Sequence, residues 1–91
     1  MNNRDRNRLL HMLEACRETQ KYTVNKSVFD LSSDSMLLWA LVKQLEIIGE
    51  AANVLTDDFK LNHDDVDWPS MVGMRNRLVH AYFDVDIDVV W

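Results

Sequence analysis

Three side chains that can act on phosphate groups and protons lie within eight residues of one another near the carboxyl end of the chain. They are the guanidinium of Arg75, the imidazole of His80 and the phenol of Tyr82, and Asn76 adds an amide beside the arginine. A guanidinium can bind two phosphate oxygens at once, and an imidazole exchanges protons near neutral pH. Residues of these types at this spacing could therefore hold a phosphate and move a proton.

The stretch that carries these side chains has the spacing of an amphipathic helix. At about 100° per residue, an apolar arc is formed by Met71, Met74, Leu78, Val79 and Tyr82. Arg75 falls within this arc, and because it cannot lose its proton it needs either a carboxylate partner or a water-lined cleft. Asn76 and His80 lie on the opposite side, four residues apart. We therefore predict one helix that loosens near Tyr82 or Phe83, with Arg75 in either a structural ion pair or a functional site.

The order of these residues resembles the signature of the HEPN superfamily, and specifically of the HepT-like toxins. That signature is an arginine, four residues, a histidine, one residue and a tyrosine, and it corresponds here to Arg75, His80 and Tyr82. Three other segments resemble the family's central helix, the start of its motif helix and the start of its next helix: residues 45–52, 68–76 and 85–91. The resemblance therefore extends over nearly the whole chain.

The resemblance implies an all-α, homodimeric protein that cleaves RNA without a metal or other cofactor. In HEPN ribonucleases a ribose 2′-hydroxyl attacks the adjacent phosphate and leaves a cyclic phosphate end. By this resemblance His80 would be the general acid or base, Arg75 would clamp the phosphate, and Asn76 would position the phosphate or His80. A composite site made by two chains would supply both the acid and the base.

The resemblance also implies a protein partner and a modification site. In HepT-like toxins the motif tyrosine, here Tyr82, is adenylylated by a small MNT-type nucleotidyltransferase that acts as the antitoxin. The alternative is a non-catalytic HEPN domain that binds nucleotides or docks to a nucleotidyltransferase, with Arg75 kept as a structural ion pair. The negative charge of the chain fits a protein partner better than bulk RNA.

Composition limits the class of protein. Ninety-one residues make one small domain, expected to span 1–91, and a 47% hydrophobic content with two glycines and one proline favours a helical globule. Cys16 has no partner for an internal disulfide, so we expect a buried thiol in a reducing cytoplasm. We see no signal peptide or membrane span and expect a soluble, cytoplasmic protein. The formal charge of −5 argues against broad nucleic-acid binding, so RNA would need a local basic patch.

The hydrophobic spacing predicts an up-and-down bundle of four to five helices. Helices are expected over 4–22, over 35–55, from Pro69 onward, and after Asp84 or Asp86, with loops over 23–33 and 56–67. In the first helix, the predicted buried stripe is Leu9, Leu13 and Cys16, with Leu10 and Met12 widening it. The last helix is expected to continue past Trp91, because the family resemblance calls for a longer one.

The second predicted helix is apolar nearly all round, apart from one polar seam. That seam consists of Lys43, Glu46, Glu50 and Asn53. The seam either faces solvent or places Glu46 or Glu50 against Arg75, and both arrangements remain open. Gly49 costs on the order of 1 kcal/mol relative to alanine inside a helix, so it is expected to mark a close helix approach. The loop histidine, His63, has no second histidine or cysteine at ligand spacing, and we predict no metal site.

Overall fold

A computed structural model describes residues 2–80 and 84–91, except the side chains of Arg75 and His80. The helices in this part are α1 Asn3–Thr23, α2 Val28–Ser33, α3 Ser35–Val54, α4 Asp57–Asn62, α5 Trp68–Val72, α6 Met74–Leu78 and α7 Ile87–Val90. Two strands of two residues each, β1 Val79–His80 and β2 Asp84–Val85, pair in an antiparallel ladder. The predicted all-α class is confirmed, but short helices raise their number above the predicted four to five.

The two long helices begin at the polar residues that the sequence marks as caps. The side-chain oxygen of Asn2 accepts a hydrogen bond from the Asp5 N–H at 2.7 Å at the start of α1. The Asp34 carboxylate accepts one from the Leu37 N–H at 3.1 Å at the start of α3. Each cap satisfies an N–H that has no partner within its helix. Helix α3 is the central element, because α1, α2, α5, α6 and α7 all pack against it.

Helix α1 buries a different face from the one predicted. Ala15 is buried, and Leu9 and Met12 pack against the core cluster formed by Ala52, Leu55 and Trp68. Leu13 is 45% exposed and Cys16 is exposed, so the predicted stripe through these two residues and the predicted buried thiol are both wrong. Around the helix axis, Met12 and Leu13 lie on opposite sides of Leu9, and the buried Ala15 falls on the Met12 side.

Both predicted loops contain a short helix. In α2 the Ser27 N–H donates to the Asp30 carboxylate at 2.6 Å, and Leu31 is buried. Phe29, in contrast, is 80% exposed. The acidic run after Thr56 places Asp57 and Asp58 in the first turn of α4, where negative charge is favourable, so the acids start a helix instead of marking a loop.

A buried carboxylate joins the start of α1 to the start of α4. Asp5 is 2% exposed, and its oxygens accept hydrogen bonds from the Thr56 hydroxyl at 2.6 Å and the Thr56 N–H at 3.0 Å. These two hydrogen bonds hold the pKa of Asp5 below its ordinary value, although burial opposes the shift. The folded state therefore favours the ionised carboxylate over the protonated acid.

This contact predicts a pH-dependent contribution to stability. Because the folded pKa of Asp5 is lowered, its contribution is complete above the unfolded pKa of about 3.9 and is lost as the pH falls through the folded value. In thermal unfolding from pH 7 to pH 3, Asp5→Asn should have a Tm several degrees below that of the parent at pH 7, and the difference should shrink with acidification. The control is Asp64→Asn, at an exposed loop carboxylate. If the Tm of the parent and the Tm of Asp5→Asn differed by the same amount at every pH, the ionised Asp5 carboxylate would not be the source of the stability.

Candidate functional site

The motif segment, residues 68–80, is a helix with a break, followed by a strand. The Asp67 carboxylate caps α5 by accepting hydrogen bonds from the Ser70 hydroxyl at 2.7 Å and the Ser70 N–H at 3.3 Å. These bonds, with a smaller contribution from the charge of Arg77, lower the pKa of Asp67. Pro69 lies in the first turn of α5 as predicted, and Gly73 ends that helix by donating its N–H to the Pro69 carbonyl at 3.0 Å.

The prediction of one helix through the motif is wrong in two places. The helix is interrupted at Gly73, and α6 ends at Leu78. Val79 and His80 are extended, with Val79 opposite Val85 and His80 opposite Asp84. His80 is therefore not one helical turn beyond Asn76. Tyr82 and Phe83, where the helix was expected to loosen, lie outside the described residues.

Gly49 brings the motif segment close to α3. A Cβ atom at this position would lie 2.8 Å from the Met71 carbonyl oxygen, which is closer than real Cβ contacts come. The side chain of Met74 follows at 3.9 Å. The expectation that Gly49 marks a close helix approach is therefore confirmed, and the partner is the end of α5. This contact sets the distance between α3 and the residues that lead into Arg75.

The Gly49 contact predicts that alanine destabilises the protein despite its better helix propensity. The gain in propensity is about 1 kcal/mol, whereas overpacking against a backbone oxygen costs about 1–3 kcal/mol. Gly49→Ala should therefore lower the free energy of unfolding in urea titrations by up to about 2 kcal/mol. The matched control is Gly73→Ala, since a Cβ there meets the Pro69 carbonyl oxygen at 3.4 Å and the φ angle of −82° suits any residue. If the two variants were equally stable, the close approach would not exist in solution.

A cleft of about 610 Å³ lies between α1, α3 and the motif segment. Its polar walls are formed by Arg8, His11, Lys43, Glu46, Glu50 and Asn76, and its apolar and small residues are Ile47, Gly49, Ala51, Val54 and Val72. The structure therefore brings together three residues that the sequence marked separately. These are Asn76 from the motif and the two carboxylates of the polar seam, Glu46 and Glu50.

The remaining motif residues are only partly described. The backbone of Arg75 lies in α6 and that of His80 in β1, on either side of the buried Leu78 and Val79. Their side chains and the whole of Tyr82 lie outside the described part. An ion pair between Arg75 and Glu46 or Glu50 thus stays a prediction, and so do the catalytic roles of Arg75 and His80.

Arg8, His11 and Lys43 are basic residues whose position at the cleft the sequence did not predict. From the sequence, Lys43 was placed only in the polar seam, and neither Arg8 nor His11 had an expected role. Arg8 and His11 are three residues apart, which places them on one face of a helix, and this spacing was the available signal. What the spacing could not show was that this face borders α3.

The described residues give no sign of a metal centre or a membrane span. No group of three or more His, Cys, Asp or Glu side chains among residues 2–80 and 84–91 is placed to hold a metal ion. Within the same residues, no helix combines the length and the apolar character needed to cross a membrane.

Comparison with known proteins identifies the family. The family model described as ribonuclease HepT-like matches residues 12–91. The chain belongs to the HepT-like ribonuclease family. This family lies within the HEPN superfamily, so the resemblance seen in the motif is confirmed. Its members are RNA-cleaving enzymes by name, and the matched region contains every residue of the motif.

Individual relatives of the chain also carry ribonuclease names. A protein of Thermococcus cleftensis named "Probable ribonuclease HepT" is 38% identical over 78 residues, covering 86% of this chain and 71% of that protein. A candidate RNase of Methanocaldococcus jannaschii is 34% identical over 83 residues, covering 91% of this chain and 76% of that protein. A candidate RNase of Caldanaerobacter subterraneus subsp. tengcongensis is 37% identical over 83 residues, covering 91% and 74%. No solved structure matches the chain.

Proposed function

We propose that this HepT-like chain is a metal-independent endoribonuclease and the cytoplasmic toxin of a toxin–antitoxin system. The observation that carries the proposal is the position of Asn76, the residue after Arg75, on a cleft of about 610 Å³. A cleft of this size is within the range of small-molecule sites and can hold a nucleotide. The ribonuclease family to which the chain belongs supplies the class of reaction.

The proposed reaction is an internal transfer of the phosphate. The 2′-oxygen forms a bond to phosphorus while the bond to the 5′-oxygen breaks, which leaves a cyclic phosphate and a free 5′-hydroxyl. One group removes the proton from the 2′-hydroxyl and another gives a proton to the leaving 5′-oxygen. His80 performs one of these transfers, and Arg75 stabilises the negative charge that develops on the phosphate.

A homodimer completes the proposed site. One motif per chain supplies a single imidazole, whereas the reaction needs both an acid and a base. Two chains with their motif segments facing each other would supply two, and Asn76 would hold the phosphate or His80 in position. The dimer also gives the RNA strand a cleft with walls from both chains.

Tyr82 is the proposed control point of the activity. A nucleotidyltransferase antitoxin of the MNT type would transfer AMP from ATP to the phenol oxygen and release pyrophosphate. The added phosphate brings negative charge next to the site and would repel the phosphates of RNA. Mass spectrometry of the protein after incubation with the partner enzyme and ATP tests this step, with Tyr82→Phe as the control. An inhibited toxin with unmodified Tyr82 would contradict it.

The experiment that tests the activity is cleavage of a labelled single-stranded RNA in EDTA, with analysis of the new ends. The parent protein should cleave and leave cyclic phosphates, and Arg75→Ala should not. The matched control is Arg77→Ala, since Arg77 is exposed on the same helix. Absence of cleavage by a folded dimer would favour the non-catalytic alternative. Loss of folding in Arg75→Ala alone would identify a structural ion pair.

A further inference from the structure

Two basic side chains line the cleft that contains Asn76 but lie outside the motif. Arg8 comes from α1 and Lys43 from α3, so the cations are on two different walls. Within the described part of the chain, neither of them forms a hydrogen bond or an ion pair with another side chain. Their charges are therefore available to a ligand in the cleft.

The chain as a whole repels a polyanion, so the position of these cations matters. With a formal charge of −5, the chain can hold an RNA strand only at individual cations, and in this cleft Arg8 and Lys43 provide them beside the carboxylates of Glu46 and Glu50. The cleft also exposes apolar side chains, among them Ile47 and Val54, that can contact a base or a ribose. Phosphates held at the walls and a nucleoside over the apolar floor form a consistent mode of binding for a nucleotide chain.

We propose that Arg8 and Lys43 form a phosphate-binding subsite that holds the RNA strand beside the reacting position. The identity of the ligand as RNA rests on the proposed function, whereas the subsite itself rests on the shape of the cleft and on the positions of Arg8 and Lys43 at its walls. The two residues bind phosphates that flank the one attacked, and they determine affinity and the path of the strand. The chemical step remains with the motif.

The proposal also predicts an effect of opposite sign on RNA affinity for the carboxylate of Glu50. Glu50 is exposed and lines the same cleft, so it repels a phosphate bound there. Removing its charge should strengthen RNA binding, whereas removing the charge of Arg8 or Lys43 should weaken it. A role of these residues in folding alone would not produce opposite effects on affinity.

The test measures binding of a fluorescent 2′-O-methyl RNA by anisotropy at several salt concentrations. This probe lacks the attacking hydroxyl, so binding is separated from cleavage. Arg8→Gln and Lys43→Gln should each weaken binding by about threefold to tenfold and reduce the slope of log affinity against log salt by about 0.7. Glu50→Gln should strengthen binding. The matched controls are Arg17→Gln and Lys26→Gln, which remove the same charges at exposed positions that do not line the cleft.

The outcomes separate this proposal from the proposed ribonuclease activity. Absence of binding by the parent protein, or equal slopes for Arg8→Gln and Arg17→Gln, would overturn the subsite. Cleavage of unmodified RNA by the parent with unaltered slopes in the variants would overturn the subsite and leave the ribonuclease standing. Altered slopes without any cleavage would support the subsite and contradict the ribonuclease. Melting temperatures of all variants confirm that folded proteins are compared.

Discussion

His80→Ala is expected to lower the rate of RNA cleavage by about 10²- to 10⁴-fold while leaving the helical content unchanged. The reason is that the proposed transfer needs a group that exchanges protons near neutral pH, and alanine can neither accept nor donate one. The fold should survive, because the substitution leaves in place Leu78 and Val79, which belong to the core cluster with Val42. The measurement is single-turnover cleavage of a labelled RNA, with circular dichroism to follow the fold.

The matched control for this prediction is His63→Ala. His63 is exposed at the end of α4, its ring lies 4.4 Å from that of Phe59, and it does not line the cleft that contains Asn76. The His63→Ala variant should cleave RNA at the same rate as the parent. If His80→Ala and His63→Ala had equal rates, His80 would have no role in proton transfer. Equal dimerisation of both variants and the parent would show that His80→Ala acts on the chemistry.

The long helices of this fold could be predicted from the sequence because their signals are local. Apolar spacing over about twenty residues is unambiguous, and the polar caps Asn2 and Asp34 offer acceptors to free N–H groups. The short helices α2 and α4 could not be predicted in the same way. Six residues contain fewer than two helical turns, so no apolar period is visible, and acids at their starts resemble those of a solvated loop.

The choice of buried face on α1 could not be predicted because it depends on a non-local contact. Leu13 and Met12 are equally apolar neighbours, and the packing of α1 against α3 decides between them. The same contact forms the cleft. Arg8 and Lys43 are far apart in sequence and line one cleft only because these two helices lie side by side.

In the motif segment, two local sequence signals predict different structures, and only one of them is followed. The apolar arc from Met71 to Tyr82 predicted one helix, although glycine after an apolar run is also a helix stop signal. The stop signal prevailed at Gly73, where the glycine N–H closes the last turn of α5. Beyond Leu78, the β-branched Val79 and Val85 form an extended pair. The residue types of the motif could be read from the sequence, but its backbone path could not.

Leu78→Ala is expected to lower the free energy of unfolding by about 2–5 kcal/mol, the largest stability effect we predict. Leu78 is 1% exposed and belongs to a core cluster with Val42 of α3 and the neighbouring Val79. Partly buried Val85 and Val90 pack against this cluster from the carboxyl end of the chain. Alanine would leave a cavity where the motif segment, α3 and α7 meet, so all three elements would lose contacts.

The same substitution at Leu61 is the control, since Leu61 is 74% exposed on α4 and its loss should change stability by no more than about 0.5 kcal/mol. Urea unfolding of both variants measures the difference, and Leu78→Met, which keeps the volume, should cost less than about 1.5 kcal/mol.

Because Leu78 lies between Arg75 and His80, its truncation should also slow RNA cleavage at temperatures where the protein is still folded. Equal stability of Leu78→Ala and Leu61→Ala would show that the motif segment does not pack on α3 as described. If Leu78→Met were stable and cleaved RNA normally, the cavity in Leu78→Ala would account for its losses of both stability and cleavage.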